Sequence, residues 1–339
     1  MPPDIRLLAL EGDLPGEPIS NETIGSLVGA SGEDLLASTG IRIRHHASDG
    51  QGPSDLAREA SERALGVAGV DPADLSMLVF ATATPDVTFP GSACFLQEKI
   101  GAGTVGAVDV RAQSAGFIAG LDLASAFCSA PGPAAEGPDG PSRILLAAGE
   151  VFSSGLDLGP GGRSMSPRLA DGAAAVVVGQ GETGVRIGPL CWYTDGSLAD
   201  RFWCEFPASR RYPLRIRPED LEQGRHYPAA DLPALAPIVR QRLVEVGRQV
   251  LDAAGWGPED LALAIFDYVE PDIARAAAND LGIGADVLDV PTESFGHVMA
   301  AGLPLQLALG RDRLGPGGKV LLAAAGPGLA WGAVGLEWG

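Results

Sequence analysis

Short apolar runs alternate with stretches of helical spacing along this chain. MLVFATA, VGAVDV, RILLAAG and AAAVVVG in the first half read as buried strands. Residues 55–69 (DLAREASERALGVAG) and 238–255 (IVRQRLVEVGRQVLDAAG) carry helical periodicity, and both end in glycine. Alternating strands and helices predict α/β layers with largely parallel sheets. The pattern also repeats. AGVDPADLSMLVFATATPD (68–86) resembles AGWGPEDLALAIFDYVEPD (254–272), AVDV (107–110) resembles VLDV (287–290), and RILLAAGE (143–150) resembles KVLLAAAG (319–326). Three matched blocks in one order divide the chain into halves, 1–175 and 176–339. They predict a pseudo-twofold, five-layered arrangement. The Pro/Gly-rich stretches 130–142 and 155–168 read as loops.

Composition narrows the function classes. The chain has 339 residues, 46% of them hydrophobic and 20% charged, enough for one large core or two fused ones. A net charge of −19 disfavours nonspecific binding to nucleic acid or anionic lipid, both polyanions. Cys94, Cys128, Cys191 and Cys204 show no metal or disulfide spacing. No basic start with an apolar run marks a signal peptide, and no run of about 18 apolar residues marks a membrane span. The expectation is a cytoplasmic protein without a metal site.

Three residues stand where chemistry is expected. Ser114 follows an apolar strand and a short turn and opens a small-residue helix, AGFIAGLDLA. There, N–H groups and the helix dipole favour a developing anion; a serine at that place equally serves as an N-cap. His297 opens the corresponding helix of the second half, and the duplication predicts that the matched turns meet at the centre. Asp267 follows the strand LALAIF, where a carboxylate caps a helix or orients a histidine. Ser, His and Asp together form the nucleophile, base and orienter of acyl transfer.

Six motifs in order resemble the ketoacyl-ACP synthase III family: TGIRIRHH (39–46), ATATPDVTFPGSACFLQEKIG (81–101), AVDVRAQSAGFIAGLDLA (107–124), RLADGAAAVVVG (168–179), FGHVMAAGLP (295–304) and AAAGPGLAWGAVGLEW (323–338). The resemblance implies a thiolase-like fold, a homodimer and an acyl-enzyme, with an acyl-CoA or acyl-phosphopantetheine carrier protein as donor and no permanently bound cofactor.

The departures from the family pattern define the expected chemistry. Ser114 stands where the family has its nucleophilic Cys. Asp267 stands at the His of the PHQAN motif, and His297 at the Asn of the GNTS motif. An ionised Asp donates no hydrogen bond, so stabilisation of an enolate during decarboxylation is not expected of it. The set suits transfer of an acyl group to a hydroxyl or a carrier thiol on a small-molecule or protein acceptor, as in family-like enzymes of natural-product pathways. A starter-unit ketosynthase that condenses with malonyl carrier protein is the alternative, and a noncatalytic partner subunit a third reading. Pro327 interrupts the terminal glycine run and brings no N–H, so the second oxyanion donor is Gly328, another group, or absent. The family's CoA-adenine clamp is missing from EDLLAS (33–38). Arg163 matches another phosphate-binding position, whereas Asp272 replaces a basic docking residue. Arg210, Arg211, Arg215 and Arg217 form a basic run that reads either as a solvated loop or as a docking patch for phosphopantetheine or an acidic carrier. Phe89 matches a residue that reaches across the dimer to close the partner's acyl pocket.

Overall fold

The computed structural model describes residues 4–129, 136–137 and 140–339, so most of the 130–142 loop lies outside the described residues. Ten strands form the main sheet: β1 (Ile5–Asp13), β2 (Met77–Ala81), β3 (Gly106–Val110), β4 (Arg143–Glu150), β5 (Gly172–Gln180), β6 (Val185–Thr194), β7 (Leu261–Asp267), β8 (Leu288–Asp289), β9 (Lys319–Gly326) and β10 (Ala330–Glu337). Their spatial order is β8-β7-β9-β10-β6-β1-β5-β4-β2-β3. Read outward from the middle, each side runs through the same order of its own strands, which is the duplication made physical. The sides join at β1 and β6, through only two register pairs, Arg6 with Arg186 and Leu7 with Val185. Residue 175 lies within β5; the strand sets change between Gln180 and Val185.

The helices that matter are α1 (Asn21–Val28), α2 (Pro53–Ala68), α3 (Ser92–Lys99), α4 (Gly116–Ser129), α5 (Leu232–Ala254), α6 (Pro271–Asp280) and α7 (Gly302–Gly310). Strand alternation produces the layers, because successive side chains leave opposite faces. In β2, Val79 joins the central core with Phe117 and Leu121 of α4 and Leu303 and Leu307 of α7. Its neighbours Leu78 and Phe80 join an outer core with Leu56, Ala60 and Ala64 of α2. In β7, Leu263 and Ile265 face the centre, while Ala264 and Phe266 face Leu235, Val239 and Val246 of α5. The result is helix, sheet, central helices, sheet, helix: the thiolase-like αβαβα stack.

Local chemistry explains the boundaries. The Pro-Ala-Asp and Pro-Glu-Asp turns of the repeat are 3₁₀ turns, Pro72–Asp74 and Pro258–Asp260. Helices α2 and α5 both stop at a left-handed glycine, Gly69 and Gly255, as their sequences predict. Helix α5 begins six residues before the periodic stretch, because the Asp231 side chain accepts from the Ala234 N–H and caps it, a contact worth about 1 kcal/mol. Pro237, inside the helix, hides that start from a sequence reading. Among the described residues no helix is long and apolar enough to cross a membrane.

Candidate functional site

Ser114 sits on a sharp strand-to-helix elbow. Gln113 has a positive φ of 52°, unusual for a residue with a side chain. A 3₁₀ turn, Gln113–Ala115, then leads into α4. The second half repeats this elbow at Met299 (φ 36°), with a turn over Met299–Ala301 leading into α7. The structural counterpart of Ser114 is therefore Ala300. His297 lies three residues earlier than the sequence comparison placed it, on the loop feeding the elbow. It is held there by a short parallel bridge: its N–H donates to Arg168 O at 2.8 Å, and its carbonyl accepts from Ala170 N–H at 3.1 Å.

The matched turns meet as expected. Ser114 Oγ is 3.3 Å from His297 Nε2, and His297 Nδ1 is 3.4 Å from Asp267 Oδ1. All three residues are wholly buried. Ser114 is not an N-cap, since its side chain faces the imidazole. Asp267 closes β7, and its Oδ2 has no hydrogen-bond partner. That oxygen lies against the first turn of α7: a Cβ on Gly302 would stand 2.6 Å from it. The bare backbone of Gly302 thus lets a helix N-terminus approach the carboxylate, where its dipole favours negative charge. The geometry aligns a hydroxyl, an imidazole and a buried carboxylate, the order required for base-assisted attack by an alcohol.

The terminal glycine run packs onto the same point. A Cβ on Gly326 would lie 2.9 Å from Ser114 Cβ, 3.0 Å from its backbone nitrogen, and closer still to Oγ. Gly328 follows Pro327 with φ 134°.

Thr292, which the sequence does not single out, completes the cluster. Its Oγ1 lies 2.8 Å from Asp267 Oδ1, 2.9 Å from the Tyr268 carbonyl and 3.4 Å from His297 Nδ1. Its two shortest contacts are to residues 24 and 25 positions away in the chain, so no local motif announces it.

The other candidate residues lie apart from this cluster. Arg163 donates to the carbonyls of Val28 (2.9 Å) and Gly29 at the end of α1. Arg211 pairs with buried Asp220 at 3.0 Å and stacks over Phe206. Arg210 lies 5.1 Å over the Trp203 ring and 4.0 Å from Glu205. The basic run is thus largely matched by its own acidic neighbours, and a phosphate would compete with them. Phe89 is 74% exposed, with the Arg215 guanidinium 5.9 Å over its ring. Among the described residues no group of three metal-ligating side chains gathers.

Glu150 is a second residue that the sequence does not single out, an acid near the elbows. It ends β4, fully buried, and accepts from Thr84 Oγ1 (2.6 Å), from the Ala83 and Thr84 N–H groups, and from Ala300 N–H (3.4 Å). Burial outweighs these bonds and pushes its carboxyl from the ordinary 4.5 up to about 7. Between those values the native protein keeps a proton that the unfolded chain has lost. Stability therefore falls as pH rises through that window and is flat above it. The expected loss is about 3 kcal/mol, measured by urea unfolding on either side of the window. Glu150→Gln should flatten the slope; an unchanged slope in that variant would refute the assignment.

Comparison with known proteins agrees with the architecture. Residues 108–196 match the family described as 3-oxoacyl-[acyl-carrier-protein] synthase III, and residues 251–338 match its C-terminal part. Two β-ketoacyl-[acyl-carrier-protein] synthase III proteins of Streptomyces coelicolor, numbered 3 and 5, are 34% and 33% identical; each alignment covers 98% of this chain and 96% of the relative. The crystal structure of 3-oxoacyl-(acyl carrier protein) synthase III from Pseudomonas aeruginosa PAO1 superposes with a TM-score of 0.86 at 29% identity, covering 99% of this chain and 98% of that one. The priming β-ketosynthase of the R1128 polyketide pathway gives 0.86 at 27% identity, covering 100% and 98%. With its duplicated thiolase-like sheets, two family matches over residues 108–196 and 251–338, and a relative 34% identical over 98% of this chain, the chain is an enzyme of the 3-oxoacyl-[acyl-carrier-protein] synthase III family.

Proposed function

We propose that this chain is an acyltransferase of secondary metabolism that carries an acyl group on Ser114. The donor is a CoA or carrier-protein thioester, and the acceptor is a hydroxyl or a carrier thiol. The observation that carries the reading is the unbroken line from Ser114 Oγ through His297 to Asp267. In the first step His297 Nε2 takes the serine proton as Oγ bonds to the thioester carbon. The C–S bond then breaks, and His297 returns the proton to the leaving thiolate, so an ester remains on Ser114. In the second step His297 deprotonates the acceptor, whose oxygen or sulfur bonds to the ester carbon; the bond to Ser114 Oγ breaks and His297 returns the proton to Oγ. Asp267 holds the imidazole and balances its charge when protonated. The Ser114 N–H at the helix start and the Gly328 N–H are the proposed oxyanion donors. Arg163, Arg210 and Arg211 are retained as donor-side contacts. A cytoplasmic homodimer belongs to the same proposal, with Phe89 turned toward the partner; exposed Phe89 and the open edge of β3 support it.

The test is incubation with acyl-CoA and acyl-carrier thioesters, followed by intact-mass analysis. An added acyl mass on the wild type that disappears in Ser114→Ala is the expected result. No adduct on the wild type, with unchanged turnover in Ser114→Ala, would sink the proposal. A second reading, decarboxylative priming of chain synthesis, is favoured by the condensing-enzyme names of the relatives. Carbon dioxide release from malonyl carrier protein is its signature.

A further inference from the structure

We infer that Thr292 is a positioning residue that locks His297 in the tautomer protonated on Nδ1, leaving Nε2 free to receive the serine proton. The inference rests on the roles proposed above for Ser114 and His297. Thr292 belongs to the single helical turn Pro291–Phe295, five positions before His297, and is wholly buried. Its hydroxyl carries one proton but faces three groups. The 2.8 Å separation from Asp267 Oδ1 and the 2.9 Å separation from the Tyr268 carbonyl both join two oxygens. With Asp267 ionised, as its proposed role of balancing the imidazolium requires, each contact needs the threonine proton. That proton is therefore committed, and the remaining lone pair of Oγ1 faces His297 Nδ1 at 3.4 Å. A second acceptor, Asp267 Oδ1, lies at 3.4 Å from the same nitrogen. Two acceptors and no available donor at Nδ1 require Nδ1 to carry hydrogen, and this leaves the lone pair on the side of Ser114.

Asp267 alone holds the ring less firmly, because its other oxygen has no hydrogen-bond partner and Oδ1 would then be oriented by His297 alone. Thr292 fixes Oδ1 in place. Its own rotation is restricted by its β-branch and by burial. The carboxylate, threonine and imidazole therefore form a triangle in which each corner orients the other two.

The experiment uses the full chain labelled with nitrogen-15 histidine. Four histidines are present, and the His297 signals are assigned by their loss in His297→Ala. Thr292→Val keeps the shape and removes the hydroxyl; Thr292→Ser restores it. The expected result for Thr292→Val is a mixture of ring tautomers at His297 and at least a tenfold lower acylation rate constant, with little change in the donor concentration at half-saturation. Thr292→Ser should behave as wild type in both. If Thr292→Val does not fold, Thr292→Ala is read in the same way. Wild-type tautomer and rate in a folded hydroxyl-free variant would overturn the inference. A changed tautomer together with wild-type acylation by Ser114→Ala would instead refute the acyl-enzyme proposal and leave the positioning role standing.

Discussion

His297→Ala lowers the rate of Ser114 acylation by roughly a thousandfold or more, while the protein stays folded. A serine hydroxyl is a poor nucleophile unless its proton leaves as the new bond forms. In the proposed mechanism the proton's destination is Nε2, 3.3 Å from Oγ. The nearby acid Glu150 does not substitute, because its oxygens are turned to residues 82–84 and to Ala300. The parallel bridge at position 297 is formed by main-chain atoms, so the truncation removes the base and leaves that bridge. Single-turnover acylation followed by intact mass gives the rate directly. Imidazole added to the medium should recover part of the loss. Acylation of His297→Ala at the wild-type rate would exclude the imidazole as base and would return attention to a noncatalytic role for the cluster.

Gly326→Ala should abolish acylation almost as completely, for a reason independent of proton transfer. The added methyl would stand 2.9 Å from Ser114 Cβ and 3.0 Å from its backbone nitrogen, below or at the limit of real contacts. Neither side yields easily. Gly326 ends a strand paired in register with β10, and Ser114 is fixed on a strained elbow. Relief therefore displaces Oγ from the imidazole, at an overpacking cost of about 1–3 kcal/mol. A displacement of about 1 Å at a reacting atom is enough to lose two orders of magnitude. Acylation kinetics together with urea unfolding separate the two effects. A variant with normal acylation would mean that the elbow relaxes without moving the nucleophile.

Several features were legible in the chain because they are local or repeated. The paired Pro-x-Asp-Leu turns, the apolar strand runs and the glycine helix stops all depend on neighbours within a few residues. They place β2 and β7, β4 and β9, and α2 and α5 in equivalent positions. The same repeat brought Ser114 and His297 to a common centre. It misplaced the register of His297, because the loop before the second elbow is longer and only backbone conformation shows that Met299 corresponds to Gln113 and Ala300 to Ser114.

The sequence by itself determined the duplicated α/β architecture and the family. These follow from hydrophobic period and from residue identity at motif positions, which folding does not change. Tertiary structure alone decided that the three groups touch, that Thr292 joins them, and that the Gly302 end of α7 lies against Asp267. It also engaged Arg163 and Arg211 with partners inside the chain. The physical reason is that hydrogen-bond range is a few ångströms, whereas these partners are separated by many residues. Only the packing of two half-sheets around α4 and α7 sets those distances.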